Sequence, residues 1–175
     1  MLVYITAAMV VHKKIILRSL KDDDKEALAQ LANNKKIFNN VRDMLPNPYA
    51  VDDAIVFINL TKQENPQASF AIEYESKFCG MIGLIAQHDV YRRTAEIGYW
   101  LGEPFWNKGI ATTAVKLITD YGFNELGFIR IHTGIFEYNI ASMKVLEKMA
   151  LRKMVYLKKI LSRMERFGMN TGILK

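Results

Sequence analysis

The stretch Trp106-Asn107-Lys108-Gly109-Ile110-Ala111 joins a strand-like run ending in EIGYWLG to a helix-like run, ATTAVKLI. A loop that opens a helix in this way is suited to holding an anion. The first N–H groups of a helix have no partner inside it, and the helix dipole adds partial positive charge at that end. Gly109 and Ala111 carry little or no side chain, so a ligand can come close to the backbone. The amides from Lys108 through Gly109, Ile110 and Ala111 to Thr112 are therefore candidate donors to a phosphate or diphosphate. A turn glycine between a strand and a helix would look the same, so the loop needs support from its surroundings. The two common nucleotide loops, G-x-x-x-x-G-K-[ST] and G-x-G-x-x-G, do not occur in the chain.

Other chemistry is sparse. Cys79 is the single cysteine, which excludes an internal disulfide and points to a reducing, cytoplasmic setting. His12, His88 and His132 show no spacing that suits a metal, so no metal is expected.

The elements that must position the loop can be read from periodicity. KIILRSL (14–20) reads as a strand, and Asp22, Asp23 and Asp24 offer caps for a helix through KEALAQLA. Residues 47–64 read as a turn and a second amphipathic helix. Residues 69–76 and 78–88 read as a hairpin of two strands, and 92–102 as a further strand. The run from Lys108 to Leu126 places Val115, Ile118, Tyr121 and Leu126 near helical period. Residues 129–136 alternate like a strand, and 141–149 read as a short helix. A chain of 175 residues, 50% apolar and 24% charged, with no repeat or linker, is one domain. The element order predicts a mixed α/β (α+β) fold. The apolar start MLVYITAAMVV is too short to cross a bilayer, and Met9 is an alternative first residue.

EIGYWLGEPFWNKGIATTA, followed thirty residues later by NIASMKVLEKM, resembles the GNAT superfamily of acetyl-CoA-dependent N-acetyltransferases. It is most similar to the branch containing ribosomal-protein N-terminal acetyltransferases, and the resemblance covers residues 12–148. The family motif opens with Gln or Arg where this chain has Trp106, a departure of small consequence if backbone amides make the contacts. The resemblance implies a mostly antiparallel sheet flanked by helices, splayed between strands 93–101 and 129–136. Acetyl-CoA would lie in the gap, its pantetheine arm along Tyr99, Trp100 and Leu101 and its pyrophosphate on Trp106 to Thr112. A backbone N–H near Trp100 or Leu101 would polarise the acetyl carbonyl. Asn139 would bond the pantetheine arm or simply cap a helix. Ser142 would protonate the leaving thiolate or serve as a cap. Glu96 would be the general base, or a solvated strand carboxylate. On a strand Glu96, Gly98 and Trp100 share a face, and the glycine leaves room beside the carboxylate. Lys144 and Lys148 would meet the CoA 3′-phosphate or stay solvated. The acceptor would be a small-molecule amine or a protein N-terminus.

Charge is uneven. The net charge is +6, but residues 1–148 balance, and the segment after Met149 holds seven basic residues against Glu165. No basic face accompanies a nucleic-acid motif in residues 1–148, so neither nucleic acid nor membrane is an expected partner. The tail 149–175 reads as an amphipathic basic helix where the family has Gly-Phe and two closing strands. Shifting the reading frame back by one base restores a family-like ending, because Met149-Ala150, Met154-Val155 and Met164-Glu165 then each force a glycine. The expectation is a frameshift near Lys148, closing strands missing or replaced by helix, and a protein that is a homodimer or poorly stable because a sheet edge is uncovered. Two alternatives accompany this reading: a chain that binds CoA but is catalytically impaired, or a basic-tail interaction protein.

Overall fold

The computed structural model describes residues 10–12 and 14–149. Six strands form one sheet in chain order: β1 (Val10–His12), β2 (Ile15–Arg18), β3 (Ser69–Tyr74), β4 (Lys77–Ala86), β5 (Thr94–Leu101) and β6 (Arg130–His132). Every neighbouring pair is antiparallel except β5 and β6, which run parallel. The helices are α1 (Lys25–Ala32), α2 (Lys35–Phe38), α3 (Val51–Thr61), α4 (Ile110–Asn124) and α5 (Ile140–Glu147).

Side-chain alternation along the strands gives the sheet two apolar faces, each with its own helices. On one face Leu17, Phe70, Ile72, Ile97 and Leu101 pack with Ile110, Ala114, Val115 and Ile118 of α4 and Leu146 of α5. On the other, Ala71, Met81 and half-buried Trp100 pack with Leu28 and Ala32 of α1 and Ala54 and Ile58 of α3. Fully burying one such aliphatic side chain contributes about 1.5–3 kcal/mol, so these faces fix the helix positions.

A charged network fastens the start of the sheet. Arg18 donates to both carboxylate oxygens of Asp24, at 2.7 and 2.8 Å, and to Glu73 at 2.5 Å. Burial alone would push the Asp24 carboxyl up, but the Arg18 hydrogen bond and the Lys21 amide outweigh it and hold it below its ordinary value.

Two expectations change. The strand expected over 129–136 is only Arg130–His132. Beyond it Ile135 leaves the strand direction and is buried in the core beside α4 and α5. The four-residue helix α2 was not expected; Asn34 caps it by accepting from the Lys36 amide at 2.8 Å. The tail expectation, from residue 150 onward, lies outside the described residues, as does any contact it makes. Among the described residues no helix is long and apolar enough to cross a membrane.

Candidate active site

The β5–β6 register ends at Glu96 opposite His132. β5 runs on to Leu101 with β4 on its other side, where Leu101 stands opposite Gly80. The Gly102 amide donates to the Cys79 carbonyl at 2.8 Å, which fixes the ladder's phase. By the alternation of an antiparallel ladder, the backbone groups of Gly98 and Trp100 turn toward β4, and those of Tyr99 and Leu101 turn toward the open side. Of the two residues proposed to polarise a carbonyl, the amide on the open edge is that of Leu101; the Trp100 amide belongs to the β4 ladder.

The chain then turns through a 3₁₀ segment, Glu103–Phe105, into α4. The Trp106 indole donates to the Leu101 carbonyl at 2.7 Å, so this side chain ties the loop to the end of β5. Asn107 and Gly109 adopt left-handed backbone angles, with φ of 60° and 75°. Asn tolerates that region and Gly favours it, which is why this spacing allows so sharp an entry to a helix. Gly109 provides no side-chain cap, and a Cβ there would meet open space. The first helical hydrogen bond is Thr113 N–H to the Gly109 carbonyl, 3.2 Å. The amides of Ile110, Ala111 and Thr112 therefore open the helix with no acceptor among the described residues. Lys108 extends over the Phe105 ring, 5.6 Å from its centre. Glu103 accepts from Asn34 at 2.9 Å and pairs with Lys36, joining α2 to this loop. Those two hydrogen bonds, Lys36 first, hold the Glu103 carboxyl below its ordinary value.

On the α4–α5 face, the Tyr99 hydroxyl and Ser142 Oγ lie 2.6 Å apart. Burial pushes the Tyr99 hydroxyl up in pKa, and the bond to Ser142 opposes the shift. Asn139 is the N-cap of α5, its Oδ1 accepting from the Ser142 amide at 3.0 Å. Capping thus uses the Asn139 oxygen and fixes Ser142, whose hydroxyl stays with Tyr99. Lys144 and Lys148 are exposed on α5 and just beyond it.

On the opposite face stand Glu96, Gly98 and Trp100. Trp100 packs edge-on against Phe78, ring centres 6.4 Å apart. A Cβ at Gly98 would touch nothing within 4 Å. The Glu96 side chain is 14% exposed and forms an ion pair with Arg42, which lies between α2 and α3. His132, Glu96's neighbour across the last parallel rung, has a buried Nδ1 with no hydrogen-bond partner.

The two faces of β5 and its edge carry different groups. One wall presents helix-start amides and an open strand edge, suited to a diphosphate on an extended amide-containing arm. A hydroxyl pair stands on the α4–α5 face, and a half-buried carboxylate on the α1–α3 face. Sequence reading singled out Glu96, Ser142 and the loop; in the fold Ser142 stands beside Tyr99 on the α4–α5 face of β5, and Glu96 on the opposite face. It missed Arg42, whose partner is 54 positions away, and the Tyr99 hydroxyl, whose partner is 43 away. An open depression lined by Ser19, Leu20, Thr61, Lys62, Glu64 and Gln67 shares no residue with these groups. Among the described residues no His, Cys, Asp and Glu cluster could hold a metal ion.

Comparison with known proteins gives concordant matches. The family profile described as Acetyltransferase (GNAT) domain matches residues 14–152. The chain is 32% identical over 145 residues to the uncharacterized N-acetyltransferase YoaA of Bacillus subtilis, covering 80% of each chain. It is 26% identical over 139 residues to the spermidine N(1)-acetyltransferase of Escherichia coli, covering 76% of this chain and 70% of that one. The structure of Mycobacterium smegmatis RimJ in complex with CoA-disulfide superposes with a TM-score of 0.68 at 23% identity, covering 76% of this chain and 68% of that one.

Proposed function

The chain belongs to the GNAT acetyltransferase family and is an acetyltransferase, and we propose that it moves acetyl from acetyl-CoA to a primary amine by direct attack in a ternary complex. The observation that carries this reading is the uncapped start of α4 standing beside the open edge of β5. The amides of Ile110, Ala111 and Thr112, with the loop from Trp106 to Gly109, would hold the pyrophosphate. The Tyr99 and Leu101 backbone would pair with the pantetheine arm, and the Leu101 N–H would receive the charge that builds on the carbonyl oxygen.

The acceptor arrives as an ammonium and must lose a proton before its lone pair can attack. Glu96, directly or through water, takes that proton and passes it to solvent. The nitrogen bonds to the acetyl carbon, the carbon–sulfur bond breaks, and the nitrogen sheds its second proton to water. Ser142 protonates the departing thiolate and is refilled through Tyr99 or water. The acceptor class we favour is a small amine or a protein N-terminus; the spermidine enzyme among the relatives supports the former. A cytoplasmic location suits this chemistry.

Calorimetry with acetyl-CoA and thiol release across an amine panel test the reading. Ala111→Glu is the discriminating variant. A carboxylate in the first turn favours the helix dipole, yet it would occupy the anion seat. Acetyl-CoA affinity should fall about 100-fold with Tm unchanged or raised. Unaltered affinity would remove the diphosphate assignment.

A further inference from the structure

The cation beside Glu96 has a role that the reaction as described does not use. Arg42 lies in the loop between α2 and α3 and is 58% exposed, while its partner carboxylate is 14% exposed. The same loop is held at a second point, where the Tyr138 hydroxyl donates to the Asn39 carbonyl at 2.7 Å. It therefore spans from β5 to the β6–α5 connection, with the Arg42 guanidinium covering the Glu96 carboxylate. On the same face of β5 as the carboxylate, the position over Gly98 is open space. These are the fittings of a seat for a small cation with several N–H donors. With Arg42 in place the Glu96 carboxylate is only 14% exposed, so the guanidinium stands where an acceptor nitrogen would have to approach it.

We propose that Arg42 occupies the seat of the acceptor's ammonium, and that the acceptor enters by displacing it. This rests on the assignment of Glu96 as the base. Arg42 is then a specificity-determining residue. A primary ammonium offers three donors and can replace the guanidinium on Glu96. A quaternary ammonium has no N–H and cannot make the exchange. The site therefore selects for unhindered primary amines before any chemistry takes place.

The test follows rotation of the Arg42 guanidinium by NMR, its signal assigned by its loss in Arg42→Lys. Rotation should be slow in the wild-type protein and fast in Glu96→Gln. Ethylammonium chloride should release it, and tetramethylammonium chloride at equal ionic strength should not. Free rotation in the wild type, or the same response to both salts, overturns the proposal. A kinetic arm uses whichever amine the panel identifies. Arg42→Gln should lower KM for that amine roughly fivefold, as expected for removal of a partly exposed ion pair. The kcat should stay within about twofold, since a uniform binding change leaves the chemical step alone. A fall in kcat with KM unchanged would mean that Arg42 positions Glu96 for chemistry, and would overturn the displacement. If no amine is acetylated but ethylammonium still releases Arg42, the acetyl-transfer reading fails and the seat stands.

Discussion

At the scale of single residues, the Tyr99–Ser142 contact is the geometry with the most direct chemical content. A serine hydroxyl alone is a weak acid toward a thiolate. One held 2.6 Å from a phenol has a neighbour that can refill its proton. Ser142→Ala should lower kcat about 100-fold and Tyr99→Phe about 10-fold, with acetyl-CoA affinity little changed. The double variant should be no worse than Ser142→Ala alone, because Tyr99 acts through Ser142. Steady-state kinetics with calorimetry would check this, and additive losses would separate the two roles. Sequence reading reached Ser142 through its motif, but took from Tyr99 only its backbone. The hydroxyl's role depends on α5 packing over β5, which no local pattern encodes. For Asn139 the sequence offered ligand or cap, and the structure finds its oxygen in the cap.

At the scale of elements, α4 was legible because its apolar spacing matches a helix and Gly109 marks its entrance. The strand over 129–136 was overread for a physical reason. Ile129, Ile131, Thr133 and Ile135 alternate, but alternation records only which side chains are buried and not whether the backbone has a partner. β5 diverges after three rungs, and Ile135 finds its burial in the core beside α4 and α5 instead. Gly80 is an unannounced requirement of the same region. A Cβ there would lie 2.2 Å from the Trp100 carbonyl oxygen. Gly80→Ala should therefore push β5 off β4, lowering Tm and acetyl-CoA affinity together, as thermal melts and calorimetry would show.

The Arg18–Asp24–Glu73 network makes a pH prediction at this scale. The folded-state pKa of Asp24 lies below its unfolded value. The stability it supplies is thus present above the unfolded value, about 3.9, and is lost as pH falls through the folded one. Asp24→Asn should cost about 2 kcal/mol at neutral pH, because Arg18 keeps Glu73 but loses its two charge-assisted hydrogen bonds to Asp24. The loss should shrink as the medium is made strongly acidic, as urea melts at neutral pH and near pH 3 would reveal. A constant difference between the two melts would assign the network no pH-dependent role.

At the scale of the whole molecule, the described domain and the basic tail require separate accounts. All of the +6 charge lies beyond residue 148, and the family profile ends at residue 152. We propose that the tail reflects a one-base shift near Lys148. The nucleotide sequence decides it: an intact frame without a homopolymer slip there would dismiss the idea. A chain rebuilt in the shifted frame should turn acidic, melt higher, and elute as a smaller species if an uncovered β6 edge drives dimerisation. The domain's class was legible because strand and helix periods alternate cleanly along residues 14–126. The end of the β5–β6 pairing was not, since it depends on where two strands part.

Cys79 lies fully buried in β4, its Sγ donating to the Ile72 carbonyl at 3.1 Å, and burial pushes its thiol up to about 12. Because the chain has no second cysteine, the native fold is already silent toward maleimides and spin labels. A cysteine introduced at any exposed position would be the lone reactive handle. The distance between the α2–α3 loop and the sheet could then be followed by pairs of probes without first engineering a cysteine-free background.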